Sequence, residues 1–295
     1  MRLHHIYIIM CMLLSAADAR AEGFDVVHEA ADSMTVERLL SESRRLKPDE
    51  NMTLFFARKF IGKPYVAHTL EKADPERLVV NTRQLDCTTL VENVTALALC
   101  AAQGLTRYHD FLHMLATLRY RNGTIDGYAS RLHYFSEWID DNTRKGLVTE
   151  VQWPDPPFTS VQTIRLGYMG CNPEKYAMLA RHPELVGQIK MQEQAMTGHE
   201  VRYVPKALLA DKAEVRKAVA DGDIIAITCN KSGLDIAHVG FAVWKADGLH
   251  LLNASMVHKK VVEERLTLFN YMKDKLSFTG IRVVRINRQK QQSLK

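Results

Sequence analysis

The spacing of apolar residues changes part-way along the chain, and that change limits the fold more than any single motif. Through about residue 196 apolar positions recur every three or four residues, as in "MTVERLLSESRRLK" (34–47) and "NMTLFFARKFI" (51–61), with similar patterns at 87–103, 107–120, 131–141 and 173–196. Such spacing predicts helices with one buried face. After "RYVP" the chain turns to short runs rich in Val and Ile, "DIIAIT", "HVGFAVW", "LHLLNAS" and "IRVVRI", which suit the strands of an antiparallel sheet. Helices followed by strands predict an α+β domain. "GKPY" closes the second helix, "NGTIDG" marks a turn and "WPDPPF" a loop.

The N-terminus reads as an export signal. Arg2 precedes the apolar run "IYIIMCMLLSAA", and "ADARA" then offers small residues at the spacing of a signal-peptidase site, with the cut after Ala21. The run is shorter than the roughly 20 residues that span a membrane, and no later segment reaches that length, so no stable membrane insertion is expected. The organisation predicted is a signal peptide at 1–21, an N-terminal helical extension at 22–50, and a catalytic domain with helical insertions at 51–295. Losing Arg2, Arg20 and Asp18 takes the 39 basic and 34 acidic residues to 37 and 33, a net charge of +4. The excess is mild and dispersed, which argues against a nucleic-acid partner but suits attraction to anionic cell-surface polymers.

Four of the five cysteines follow the cleavage point: Cys87, Cys100, Cys171 and Cys229. Two disulfides are one reading, with three connectivities, and an exported protein permits them. A core of this size does not need them. Cys87 stands apart because it opens a helix. In "LDCTTLVENV" Asp86 can act as N-cap, Thr89 and Glu92 stand at capping-box spacing, and Leu90, Val91, Val94, Leu97 and Ala98 form an apolar stripe. In the first turn, unpaired backbone N–H groups and the positive end of the helix dipole favour a thiolate and can hold an oxyanion. A small buried cysteine or half of a disulfide would suit the same position.

The base that such a nucleophile needs is offered by "AHVGFAVWKADGLHLLNAS", two strands joined at the favoured turn "DG". Alternation puts His238, Gly240 and Ala242 on one face and Val239, Phe241 and Val243 on the other. The small residues beside His238 are taken to leave room for the helix that begins at Cys87. If Trp244 pairs with Leu249, His238 faces Ser255 with Asn253 as its diagonal neighbour; a loop longer by two residues sets Asn253 directly opposite. In either register one of these polar side chains can orient the imidazole, as the third member of a triad does.

"GKPY", "LDCTTLVENV", "HVGFAVW" and "LLNAS" resemble the successive motifs of the NlpC-type papain-like cell-wall cysteine hydrolases. "YVAHTLE", "LVVNTRQLDCTTLVENV" and "YRNGTIDGYASRLHYFSEWIDD" resemble more closely their N-acetylmuramoyl-L-alanine amidase-like branch, long described as a domain of unknown function. The resemblance spans about Asn51 to Ile286. It implies a papain-like fold, an antiparallel sheet packed against the helix that carries the nucleophile, and an exported, periplasmic hydrolase acting on peptidoglycan or muropeptides without metal or cofactor. Cys87 would be the nucleophile and His238 the base. Asn253 sits where many relatives carry a second histidine. Tyr65 matches a tyrosine near the oxyanion, and Arg131, His133 and Ser255 are candidates for substrate binding; for His133, the face of a helix is an equal alternative. The chain departs from the pattern at Leu90, where Phe is usual, and at His68, where Gly is usual. The bond cleaved would be that between N-acetylmuramic acid and L-alanine; alternatives are a D-glutamyl-diamino acid endopeptidase on stem peptides, a papain-like acyltransferase, or a non-catalytic wall-binding protein with Cys87 oxidised. No HExxH motif or tight histidine cluster points to a zinc amidase.

Overall fold

A computed structural model describes residues 25–71 and 73–288. The expected signal peptide, 1–21, lies outside the described residues. Short strands β1 (Val26–Val27) and β2 (Leu78–Val79) pair in parallel. Between them run helices α1 (Ala30–Ser43) and α2 (Met52–Lys59). Three further helices follow: α3 (Cys87–Ala102), α4 (Tyr108–Arg119) and α5 (Phe135–Arg144). Strands β3 (Val148–Val151) and β4 (Ser160–Thr163) precede an inserted helical segment of α6 (Tyr168–Cys171), α7 (Ala177–Arg181) and α8 (Val186–Met196). The remainder comprises β5 (Glu200–Pro205), α9 (Lys212–Ala218), β6 (Ile224–Cys229), β7 (Ile236–Lys245), β8 (Gly248–Ser255), β9 (Lys260–Glu263), α10 (Leu268–Met272) and β10 (Phe278–Ile286).

The fold is mixed α+β, with helices packed on an antiparallel sheet. Its eight strands run β4-β5-β10-β6-β7-β8-β9, with β3 also pairing with β10. The four expected strands are β6, β7, β8 and β10. Strands β3, β4, β5 and β9 were not expected: β3, β4 and β9 are four residues long, too short for alternation to register, and "RYVP" belongs to β5 rather than to a boundary. The helix expected over 173–196 is interrupted: it opens as a 3-10 turn at Pro173, and a second 3-10 turn starting at Pro183 separates α7 from α8. The helix expected over 131–141 begins only at Phe135, so Arg131 and His133 precede it.

Both faces of the sheet are covered. On one, Val239, Phe241, Val243, Leu252 and Ala254 join Leu90, Val91, Val94 and Leu97 of α3 in a single core. On the other, Ile225, Ile227, Ala242, Leu249 and Leu251 pack against Val215 of α9 and Leu268 and Met272 of α10. Helix α3 therefore lies against the branched and aromatic face of β7, and the expectation that it would use the small face beside His238 is corrected. Val36, Leu39 and Leu40 of α1 join the same core, so the N-terminal extension is built into it.

Every residue of α3 from Thr89 to Cys100 is buried, between α1, α2 and α4 on one side and the sheet on the other. Each fully buried Leu or Val there contributes about 1.5–3 kcal/mol. Glu92 is buried too and receives Arg119 Nε of α4 at 2.7 Å, while Arg119 Nη1 donates to Val79 O at 2.6 Å. The capping box expected to use Glu92 is instead closed by Asp86 and Thr89.

Removing one member of a fully buried ion pair strands the other charge. Glu92→Ala should lower the unfolding free energy by about 3–5 kcal/mol in urea titration. A loss below about 1 kcal/mol would mean the pair carries no such weight.

Candidate active site

Cys87 is the first residue of α3, and its position is set before its chemistry. The Asp86 side chain accepts from Thr89 N at 2.8 Å, and Asp86 N donates to Thr89 Oγ1 at 2.9 Å. The "GKPY" segment pins the chain entering the helix: Leu85 N donates to Pro64 O at 3.0 Å and Val66 N to Leu85 O at 3.1 Å. Tyr65 N in turn donates to Lys259 O, at 2.9 Å, in the turn between β8 and β9. The two motifs and the hairpin are thus joined by main-chain bonds.

On β7, His238 pairs with Ile227, and Ile236 with Thr228, which leaves Ala237 as a bulge. A bulge re-aims the neighbouring side chain, and this one immediately precedes the imidazole. The hairpin is in the shorter register, Trp244 opposite Leu249 through to Phe241 opposite Leu252. His238 Nε2 meets Asn253 Oδ1 at 2.9 Å across the diagonal. Gly240 makes that approach possible: a Cβ there would stand 2.6 Å from Leu252 O and 3.0 Å from the Asn253 Cβ. Asn253 is fully buried.

Cys87 and His238 line one cavity of about 270 Å³. Val239, the residue next to His238, and Thr88 offer donors that favour the thiolate. Burial, then the neighbouring Asp86 charge, pushes the thiol up to about 11. Burial lowers His238 below its ordinary value, opposed by its bond to Asn253 and by the negative charges of Glu264 and Asp86 and reinforced by Lys275. Each group alone is therefore neutral at rest near pH 7. Desolvation at the buried helix start thus opposes the thiolate that the first turn of the helix favours.

The other expected residues divide. Tyr65 is not among the cavity's lining residues; it packs against the core, and its phenol is raised to about 12, chiefly by burial. Arg131 lines the cavity but is 4% exposed. Its guanidinium is met from within, by Glu71 Oε1 at 2.5 Å, Glu76 Oε1 at 3.6 Å and the Tyr128 ring at 4.9 Å. His133 also lines the cavity, with Nε2 bonded to Tyr128 O at 2.9 Å. Burial and the Arg131 charge push it down to about 3, so it is a neutral wall. Ser255 is not among the cavity's lining residues; its hydroxyl accepts from His258 N at 3.2 Å and ties the turn after β8. His68 lies on the cavity with φ +61°, in the left-handed region that glycine adopts most readily.

The sequence reading missed Glu71, Tyr128, Tyr134, Met169 and Tyr176 of the cavity wall, and Glu264 behind Asn253. "NGTIDGYAS" signalled a turn around Tyr128, but nothing in it showed that the turn faces Cys87. Cys87, Cys100, Cys171 and Cys229 are all free thiols. Among the described residues no group of three His, Cys, Asp or Glu side chains is arranged to hold a metal ion, and no helix is long and apolar enough to cross a membrane.

Residues 55–281 match the model of a family described as AmiA-like, N-acetylmuramoyl-L-alanine amidase-like. An N-acetylmuramoyl-L-alanine amidase from Bacteroides uniformis is similar in structure, 42% identical, with a TM-score of 0.75 over 80% of this chain and 98% of that one. A Bacteroides fragilis protein provisionally named a xylanase is 44% identical, with a TM-score of 0.73 over 78% of this chain and 99% of that one. A Legionella pneumophila protein at 20% identity shares the fold, with a TM-score of 0.69 over 88% and 97% of the two chains. No curated protein matches.

A neutral resting thiol has a measurable signature. Alkylation of Cys87 by iodoacetamide should be slow near pH 7 and rise as pH approaches the thiol's value of about 11. A fast rate near neutrality, with its inflection below pH 7, would indicate a standing ion pair instead.

Proposed function

The chain belongs to the AmiA-like, N-acetylmuramoyl-L-alanine amidase-like family, and on that premise we propose that it is an exported peptidoglycan hydrolase cleaving the amide between N-acetylmuramic acid and L-alanine. The reading includes an NlpC-type papain-like arrangement with Cys87, His238 and Asn253 as the catalytic triad. The observation that carries it is a single cavity lined by both a helix-start cysteine and a histidine held by a buried asparagine. The name of the Bacteroides uniformis protein supports the choice of bond.

Because His238 Nε2 is engaged with Asn253 Oδ1, Nδ1 is the nitrogen left to act as base. As the lactyl carbonyl enters, Nδ1 takes the thiol proton and Cys87 sulfur bonds to the carbonyl carbon. The Cys87 N–H, at the first helical position, has no carbonyl one turn back, and with the Tyr65 phenol it can stabilise the oxyanion. Collapse of the tetrahedral adduct breaks the C–N bond, and the imidazolium protonates the departing L-alanine amine. Water then attacks the thioester while Nδ1 removes its proton. Breaking the C–S bond returns the thiol. Removing water from a neutral pair costs less than from an ion pair, which suits an enclosed site.

Arg131 and His133 belong in this reading to the substrate-facing wall, and Tyr128 with them. The organisation proposed remains a leader at 1–21, an extension at 22–50 and a catalytic domain at 51–295, with the periplasm as the site of action.

Cys87→Ala should reduce muropeptide cleavage by at least about 10³-fold, and Asn253→Ala by about 10–100-fold with the fold retained. Mass spectrometry of the products should show intact peptide beginning with L-alanine. Full activity of Cys87→Ala, or its loss from the wild type on chelation, would contradict the thiol mechanism; a shortened stem peptide would point to the endopeptidase.

A further inference from the structure

The asparagine that holds His238 is itself held. Glu264, just beyond β9, is only 5% exposed. Its backbone is fixed at both ends: Glu264 N donates to Leu251 O at 2.8 Å, and His250 Nδ1 donates to Glu264 O at 3.0 Å. Its carboxylate accepts from Asn253 Nδ2 at 3.1 Å through Oε1 and meets His258 Nε2 at 3.3 Å through Oε2.

These contacts remove an ambiguity in the triad. An amide side chain can turn either its oxygen or its nitrogen toward a histidine, and the two choices select opposite imidazole tautomers. A carboxylate only accepts, so the Asn253 nitrogen must face Glu264 and the oxygen must face His238. That oxygen only accepts as well, so Nε2 of His238 must carry the hydrogen and Nδ1 the lone pair.

We propose that Glu264 is the positioning residue of the site, fixing the Asn253 amide and through it the tautomer and orientation of His238. The proposal rests on the reading of His238 as the base. Asn253 without Glu264 would sample both amide orientations, and only one leaves Nδ1 free to take a proton. His258, partly exposed on the far side of the carboxylate, holds the second oxygen and keeps the first aimed at the amide. Glu264 touches neither sulfur nor substrate; it acts on His238 by holding the Asn253 amide and by its negative charge. The charged groups that act on His238 are Lys275, Glu264 and Asp86.

The test compares Glu264→Leu with Glu264→Gln in the full mature chain, in the wild-type and Asn253→Ala backgrounds. Glu264→Leu should lower kcat on a defined muropeptide by about 10–100-fold with KM changed by less than about twofold. Glu264→Gln, whose amide oxygen can still accept from Asn253, should retain kcat within about fivefold. Losing the negative charge removes an influence that raises the His238 pKa, so in Glu264→Gln the acid limb of kcat/KM should move to lower pH. In Asn253→Ala, Glu264→Leu should cost much less than in the wild type, because only its charge still acts on His238. Equal damage from Gln and Leu, or an undiminished cost in the Asn253→Ala background, would overturn the proposal. If Glu264→Leu does not fold, Glu264→Gln decides alone: retained kcat with a shifted limb supports it, lost kcat with an unmoved limb refutes it. Nitrogen NMR of His238 needs no turnover: the Nε2–H tautomer should dominate in the wild type and give way to a mixture in Glu264→Leu. An error about the cleaved bond would leave that spectrum unchanged, whereas an unaltered tautomer in Glu264→Leu would defeat this proposal whatever the substrate.

Discussion

Burial of α3 on every side is the constraint on which the rest depends. A helix enclosed from Thr89 to Cys100 cannot slide or rotate without exposing apolar side chains or separating Glu92 from Arg119. Its first residue is consequently fixed to within the play of one capping box. The thiol inherits that position, at the end of the sheet where the bulge in β7 turns His238. The same enclosure raises the thiol and lowers the imidazole, so one physical cause both places the two groups and disfavours their charged forms.

The cavity beside it is built from charges that answer one another. Arg131 is held by Glu71 and Glu76 and stacked on Tyr128. The inserted helices are keyed to the opposite wall through a buried acid: Glu193 accepts from Tyr134 Oη at 2.6 Å and from Gly170 N at 2.9 Å, while Met169 N donates to Tyr134 Oη at 2.9 Å. Tyr128, Ala129, Tyr134, Met169, Met178, Leu179 and Ile189 form their own apolar cluster. The insertion is thus a packed wall of the cavity, to which it contributes Met169 and Tyr176.

What could be read from residues alone follows from what is local. The start of α3 and the "DG" hairpin depend on neighbours in sequence, and the structure has both; of the two registers the sequence left open, it takes the one that sets Trp244 opposite Leu249. The diagonal contact of Asn253 with His238 follows from that register. Which face of β7 meets the helix was misread for a physical reason: both faces of the sheet are buried, and alternation distinguishes faces without saying what covers each. Glu264 was invisible because its partner is eleven residues away in a different strand, and "VVEER" reads as an ordinary end of a strand. The upward push on the Cys87 thiol was missed because helix-dipole reasoning counts nearby backbone charge and cannot count the water removed by packing from elsewhere in the chain.

A cysteine acylated by the muramyl lactyl group would leave a specific mass on residue 87. Acid-quenched turnover of a muropeptide, followed by peptide mapping, measures it. The mechanism requires a thioester on Cys87 that carries the sugar and its lactyl carbonyl and no amino acid. An unmodified Cys87 during turnover, or an adduct containing L-alanyl-D-glutamate, would contradict it.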